Sequence, residues 1–200
     1  GLTCLMGRGG SRASMILSGI MMGSLFSALV SLVKFTADTE SQLPAITYWL
    51  MGSLSAASFA SLRLGTPAIL LSCVVLLLLR WKLNLLPLSD DEARTFGTNI
   101  HRLRGLCIVC CAAMTASCVA MCGQVGWIGL LVPHVCRMIF GSSHARLLPT
   151  CISCGAVFMM VVDTLARTIS AAEIPVSILT AIIGAPIFIA IVRKKGGWSL

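Results

Sequence analysis

GLLVPHVCRMIFGSSHARLLP, residues 129–149, sets Pro133, His134, Arg137, His144 and Arg146 into the middle of an otherwise apolar half-chain. Such a stretch is either a buried site with a chemical task or a place where the chain turns through water. The composition around it chooses between the two.

Of the 200 residues, 57% are hydrophobic and only 11% are charged, and the mean hydropathy is +0.95. That leaves too little polar surface to cover a globule in water, so the chain belongs in a bilayer. Runs from Ala13 to Val33, Leu64 to Leu79, Gly105 to Cys122, Leu147 to Leu165 and Val176 to Val192 each come near the roughly 20 residues that cross about 30 Å of hydrocarbon. Trp127 to Phe140 is a shorter, irregular span carrying Pro133, His134 and Arg137. Lipid offers no partner to a backbone N–H or C=O, and the runs lack the alternation of barrel strands, so they read as helices. The expected fold is all-α, a polytopic membrane protein of about six transmembrane helices, one short and broken by Pro133. Residues 1–200 read as a single transmembrane domain. Arg8 and Arg12 before the first run imitate a secretory signal, but the run is full length and leads into others, which makes it a span.

Charge orders the spans. If each run crosses once and the first segment is cytoplasmic, the inner segments hold Arg8, Arg12, Arg80, Lys82, Arg94, Arg102, Arg104, Arg137, Arg146, Arg193, Lys194 and Lys195, against Lys34, Arg63 and Arg167 outside. This asymmetry follows the positive-inside rule and puts both ends of the chain in the cytoplasm. The net charge of +8 is then a topology signal, the partner is the lipid bilayer, and no nucleic acid is expected. The 10 cysteines lie nearly all in apolar runs, where a thiol acts as a small hydrophobe. Cys107 with Cys110 and Cys151 with Cys154 have C-x-x-C spacing but no ligand-distance histidine, so no metal site is expected.

Two connecting segments are richer. Residues 35–67, FTADTESQLPAITYWLMGSLSAASFASLRLGTP, are semi-apolar and too broken to span; Tyr48 and Trp49 suit headgroup depth on the outer side. In LNLLPLSDDEARTFGTNIHRLR, Ser89 with Glu92 three residues on forms a capping box for a short cytoplasmic helix ending near Gly97. Its mixed apolar pattern suits a partner's surface.

Several stretches together resemble one family. LPLSDDEARTFG (Leu86 to Gly97), GWIGLLVPHVCRMIFGSSHARLLP (Gly126 to Pro149), VDTLAR (Val162 to Arg167) and EIPVSILTAIIGAPIF (Glu173 to Phe188) are similar to the signature segments of the FecCD family. Those proteins are permease subunits of ABC importers for iron-siderophore, haem and cobalamin. MILSGIMMGSLFSALVSL and YWLMGSLSAAS resemble the same family. Ser89 stands where a glycine is usual, Val162 where alanine is, and Ser177 where glycine often is. Members carry about ten helices, so the resemblance implies the carboxy-terminal portion of a longer permease, consistent with a first residue Gly1 rather than Met.

The resemblance implies transport without chemistry in this chain. A second permease copy would share the pathway, a cytoplasmic ABC ATPase would dock below, and an extracytoplasmic substrate-binding protein would deliver a metal chelate from above. ATPase coupling would fall to Ser89, Asp90, Asp91, Glu92, Ala93, Arg94 and Gly97, with Arg137, Gly141, His144 and Arg146 from the opening stretch. Arg167 would dock the binding protein; Pro133, Gly184 and Pro186 are the expected helix-breaking or gating positions. No G-x-x-x-x-G-K-[ST] occurs, so ATP and magnesium would sit on the partner, with no cofactor on this chain and no enzyme activity of its own. The alternatives are an ion-coupled secondary transporter, for which Asp163 is the sole acid within a span, and a fragment without function. The opening stretch then reads as a short span, a cytoplasmic turn and the start of the next span.

Overall fold

The computed structural model describes residues 12–194, apart from 56, 89–91, 93–94 and 170–172. Among the described residues the regular elements are helices: α1 (Arg12–Thr36), α2 (Gln42–Met51), α3 (Phe59–Leu78), a 3₁₀ turn (Lys82–Leu85), α4 (Ile100–Cys122), α5 (Ile128–Phe140), α6 (His144–Thr168) and α7 (Val176–Lys194). The chain divides into two compact units after Thr47, within α2.

In the first unit α1 is apolar on every side, and Ile16, Leu25 and Phe26 are all exposed, as in a helix bathed by lipid. Two of its hydroxyls are hidden by bonds to the preceding turn: Ser31 Oγ donates to Ser27 O at 3.0 Å and Thr36 Oγ1 to Leu32 O at 3.2 Å. Asp38 then opens the way to α2, its Oδ2 accepting from the N–H of Ser41 at 3.0 Å and the hydroxyl of Ser41 at 2.7 Å.

The second unit is built from antiparallel neighbours. Ser58 and Ser61 cap the start of α3 reciprocally. Gly65, near that start, lies against Ser117 and Met121 near the end of α4. A side chain at Gly65 would stand 2.3 Å from Met121 Sδ, so a larger residue there would displace the flexible Met121 side chain. Val132 and Cys136 of α5 meet Leu147 of α6, and Val162 and Ala166 of α6 meet Val176 and Leu179 of α7. These two clusters, bridged by Phe158, are the core of the unit.

α1, α3, α4 and α6 are long and apolar enough to cross a membrane; α5 and the apolar part of α7 are shorter. The expectation of about six spans thus meets four full-length helices and two short ones. Pro133 lies inside α5, and Gly184 and Pro186 lie inside α7. Each proline removes a single helix bond, while packing on both sides holds the helix: Val132 and Cys136 flank Pro133, and Ile183 and Phe188 flank Pro186. The turn into α5 is sharp: Trp127 has φ +47° and the N–H of Ile128 closes a tight turn on Gly126 O at 2.5 Å.

Candidate functional site

Two ends of the second unit gather the polar residues. At one end α3 runs out, α4 and α6 begin, and α5 and α7 finish. Arg80, Lys82, Arg102, Arg104, Arg137, Arg146 and Arg193 all belong to that end by their place in these elements, with Arg63 and Arg167 at the other.

The expected coupling stretch starts here. Ser89, Asp90, Asp91, Ala93 and Arg94 lie outside the described residues. Glu92 is helical and exposed, and Thr95 Oγ1 donates to Glu92 O at 2.6 Å. Gly97 has φ +67°, the left-handed conformation that a glycine after a helix supplies without steric cost. Asn99 next caps α4, its Oδ1 accepting from the N–H of Arg102 at 3.1 Å.

The second expected coupling stretch is the turn between α5 and α6. Gly141 ends α5 with φ +85° and ψ 179°, its N–H on Arg137 O at 3.1 Å. Arg137, Gly141 and Arg146 are exposed. Ser143 sits at the N-cap of α6 without a capping side-chain bond. That task falls to Asn84 in the 3₁₀ turn, whose Oδ1 accepts from the N–H of His144 at 2.9 Å and lies 3.1 Å from its Nδ1. The turn between α5 and α6 is thus tied to the 3₁₀ turn that precedes residues 86–97, through a residue the sequence reading passed over. The available signal was small: one asparagine among leucines in LNLLP, where a half-buried amide needs a partner.

At the opposite end the backbone itself interlocks. Gly52 (φ +74°) and Gly123 (φ +72°) face each other. A side chain at Gly52 would stand 2.2 Å from Gln124 O, and one at Gly123 would stand 2.2 Å from Trp49 O. Across this approach the N–H of Ser53 donates to Cys122 O at 2.9 Å and the N–H of Val176 to Gly52 O at 3.0 Å. Ser53 and Ser55 hydroxyls meet at 2.5 Å, and the Ser55 hydroxyl donates to the Glu173 carboxylate. Arg167 also lies at this end, and its Nε donates to Asp163 Oδ2 at 3.0 Å. With side chains 46% and 27% exposed, such an i,i+4 pair contributes about 0.5 kcal/mol or less, and the guanidinium stays open to a further acceptor.

Between α5 and α7, Gly184 and Phe188 pack against Trp127. A side chain at Gly184 would stand 3.0 Å from Trp127 Cβ. Phe188 meets Trp127 at 6.3 Å and, in a T-shaped contact, His134 at 5.7 Å between ring centroids, so His134 serves as an aromatic body. Among the described residues no group of His, Cys, Asp and Glu could hold a metal ion, and the cysteines are free thiols.

Known proteins are similar to this chain in sequence and fold. The molybdate import system permease MolB of Haemophilus influenzae is 45% identical over 185 residues, 92% of this chain and 55% of its own length. The hemin transport permease HmuU of Yersinia pestis is 37% identical over 187 residues, 93% of this chain and 56% of its own length. A solved structure described as an inward-facing conformation of a metal-chelate type ABC transporter superposes with TM-score 0.92 at 44% identity, covering 96% of this chain and 62% of that one. The chain therefore spans a little over half the length of the relatives it matches. The profile of the FecCD transport family matches residues 2–194. With apolar helices of membrane length and this match along almost its entire length, the chain is a multi-pass membrane protein that belongs to the FecCD transport family.

Proposed function

We propose that the chain forms part of the membrane-spanning permease of a binding-protein-dependent ABC importer in the inner or plasma membrane. The observation that carries this reading is the agreement of family and fold over nearly all of the described residues. The substrate is a metal-containing solute. Iron-siderophore, haem and cobalamin chelates fit it, and so does an oxyanion, since molybdate appears among the relatives' substrates. The chain binds no cofactor and performs no chemistry; a cytoplasmic ATPase carries ATP and magnesium, and a second permease copy completes the pathway.

The end that holds Asn84 faces the cytoplasm, as do both termini. The support is the gathering there of Arg80, Lys82, Arg102, Arg104, Arg137 and Arg146. Residues 86–97 and 137–146 receive the ATPase: Ser89 to Arg94 meet its groove, Gly97 turns the segment into α4, and Arg137, Gly141, His144 and Arg146 flank it. Arg167, at the opposite end, pairs with a carboxylate of the binding protein. Pro133, Gly184 and Pro186 lie where α5 and α7 would flex during opening. The transmembrane helices rock between outward-open and inward-open states as the ATPase closes.

The test is uptake by the complete transporter reconstituted in liposomes, with iron chelate, haem, cobalamin and molybdate offered in turn. One of these should be accumulated only when ATP, ATPase and binding protein are all present, and Gly97→Val should abolish accumulation while the permease still inserts. Uptake driven by an ion gradient without ATP would replace this reading with a secondary transporter.

A further inference from the structure

Where α3 passes into the 3₁₀ turn and α4 begins, the two leave a cavity of about 230 Å³. Lys82 and Arg102 both line it, and both are exposed. Leu79, Leu103 and Leu106 give it an apolar side, and Leu106, 43% exposed, carries that side out onto the surface of α4. Asn99 stands at the rim, its side-chain oxygen already committed to the N–H of Arg102 at 3.1 Å, which fixes the turn from which Arg102 projects.

Among the described residues no carboxylate lines the cavity and no ion pair engages either cation. Two cations sharing a small space repel each other, and an anion between them relieves both. Trp81, the residue before Lys82, is 67% exposed, an aromatic ring of the kind that rests at headgroup depth. Cationic rim, apolar side and flanking indole together match the layering of a phospholipid from phosphate to acyl chain.

We propose that this cavity binds the phosphate of an anionic glycerophospholipid, with Lys82 and Arg102 on the headgroup and an acyl chain along Leu79 and Leu106. The apolar side selects a lipid over a free anion or a partner's carboxylate: Leu106 lies on a helix long and apolar enough to cross the membrane, where an acyl chain can follow it while the phosphate meets the cations. The site goes beyond the transport reading: it needs neither ATPase nor binding protein, so either can fail while the other stands.

The test is lipid retention by the whole chain in mild detergent, read by native mass spectrometry during titration with phosphatidylglycerol or with phosphatidylcholine of the same acyl chains. Phosphatidylglycerol should be retained in preference. Lys82→Gln and Arg102→Gln should each weaken its retention about five-fold, and together about 25-fold. Lys82→Arg should retain it, Arg63→Gln at the opposite end should leave it unchanged, and inorganic phosphate should not displace it. Equal retention of the two lipids, an ineffective double substitution, or displacement by inorganic phosphate would each overturn the proposal. Should the double variant not fold, the parent decides: its preference must fade as salt is raised, and a salt-independent preference overturns the site.

Discussion

The side-chain oxygen of Asn84 receives the backbone N–H of His144 at 2.9 Å and its imidazole Nδ1 at 3.1 Å, across sixty residues of chain. The second bond requires the proton on Nδ1. Removing the acceptor leaves the first turn of α6 uncapped, since Ser143 makes no capping bond. Asn84→Leu should therefore cost about 1 kcal/mol locally, read as roughly five-fold faster hydrogen exchange over residues 144–147. Asn84→Asp keeps an acceptor and should exchange like the parent. Unchanged rates in the leucine variant would show that the contact holds nothing.

Gly123 and Gly141 separate strain from collision. Both have the extended left-handed backbone that glycine alone adopts easily, φ +72° with ψ −165° and φ +85° with ψ 179°. A side chain at Gly141 meets open space, whereas one at Gly123 meets Trp49 O at 2.2 Å and Gly52 Cα at 2.9 Å. Gly141→Ala should cost about 1–3 kcal/mol from backbone strain alone. Gly123→Ala should add about 1–3 kcal/mol of overpacking and lower thermal stability in detergent visibly further. Equal melting temperatures would contradict the interlock of the two backbones.

Arg167 offers a test of docking. Its bond to Asp163 at 3.0 Å occupies only Nε. In the complete transporter, Arg167→Glu should weaken association with the binding protein about five-fold at low salt, and more if the pair is desolvated on docking. Asp163→Asn should leave association nearly unchanged. Binding of the charge-reversed variant at parental affinity would reduce Arg167 to an interfacial anchor.

Asp38 sets an acid limit on the start of α2. The Ser41 hydroxyl, and then the Ser41 N–H, hold its carboxyl below the usual range. A lowered folded pKa means that the bonded form is favoured above the ordinary value of about 3.9 and loses its advantage as pH falls through the lower folded value. Hydrogen exchange around Ser41 to Leu43 should rise only in that acid window, and Asp38→Asn should shift or remove the rise. A parent whose exchange shows no such acid step would rule the cap out.

Apolar length made the helix bodies legible. The run from Ala13 to Val33 became α1 (Arg12–Thr36), and Leu147 to Leu165 became α6 (His144–Thr168). Helix starts were less so, because capping overrides polarity: α4 begins at Ile100 among His101, Arg102 and Arg104 since Asn99 caps it, and α3 begins at Phe59 through a serine-only capping box. Segment 35–67 contains α2 and the opening turns of α3, because Pro44 falls in a first turn where its missing N–H is not needed. The positive φ of Trp127 and the reach of Asn84 to His144 are tertiary facts without a local pattern. Of the candidate site, the exposed ends at Arg137, Gly141 and Arg146 were legible as a polar turn between apolar runs, whereas its tie to the 3₁₀ turn was not.

At Gly52 the chain holds α4 and α7 by main-chain bonds, Ser53 to Cys122 and Val176 to Gly52, with no side chain long enough to give way. This makes a fulcrum. α4 extends 23 residues from it, a lever of about 35 Å, and displacement grows in proportion to distance along it. A tilt of about five degrees that barely disturbs the fulcrum would carry the far tip about 3 Å, the width of one hydrogen bond.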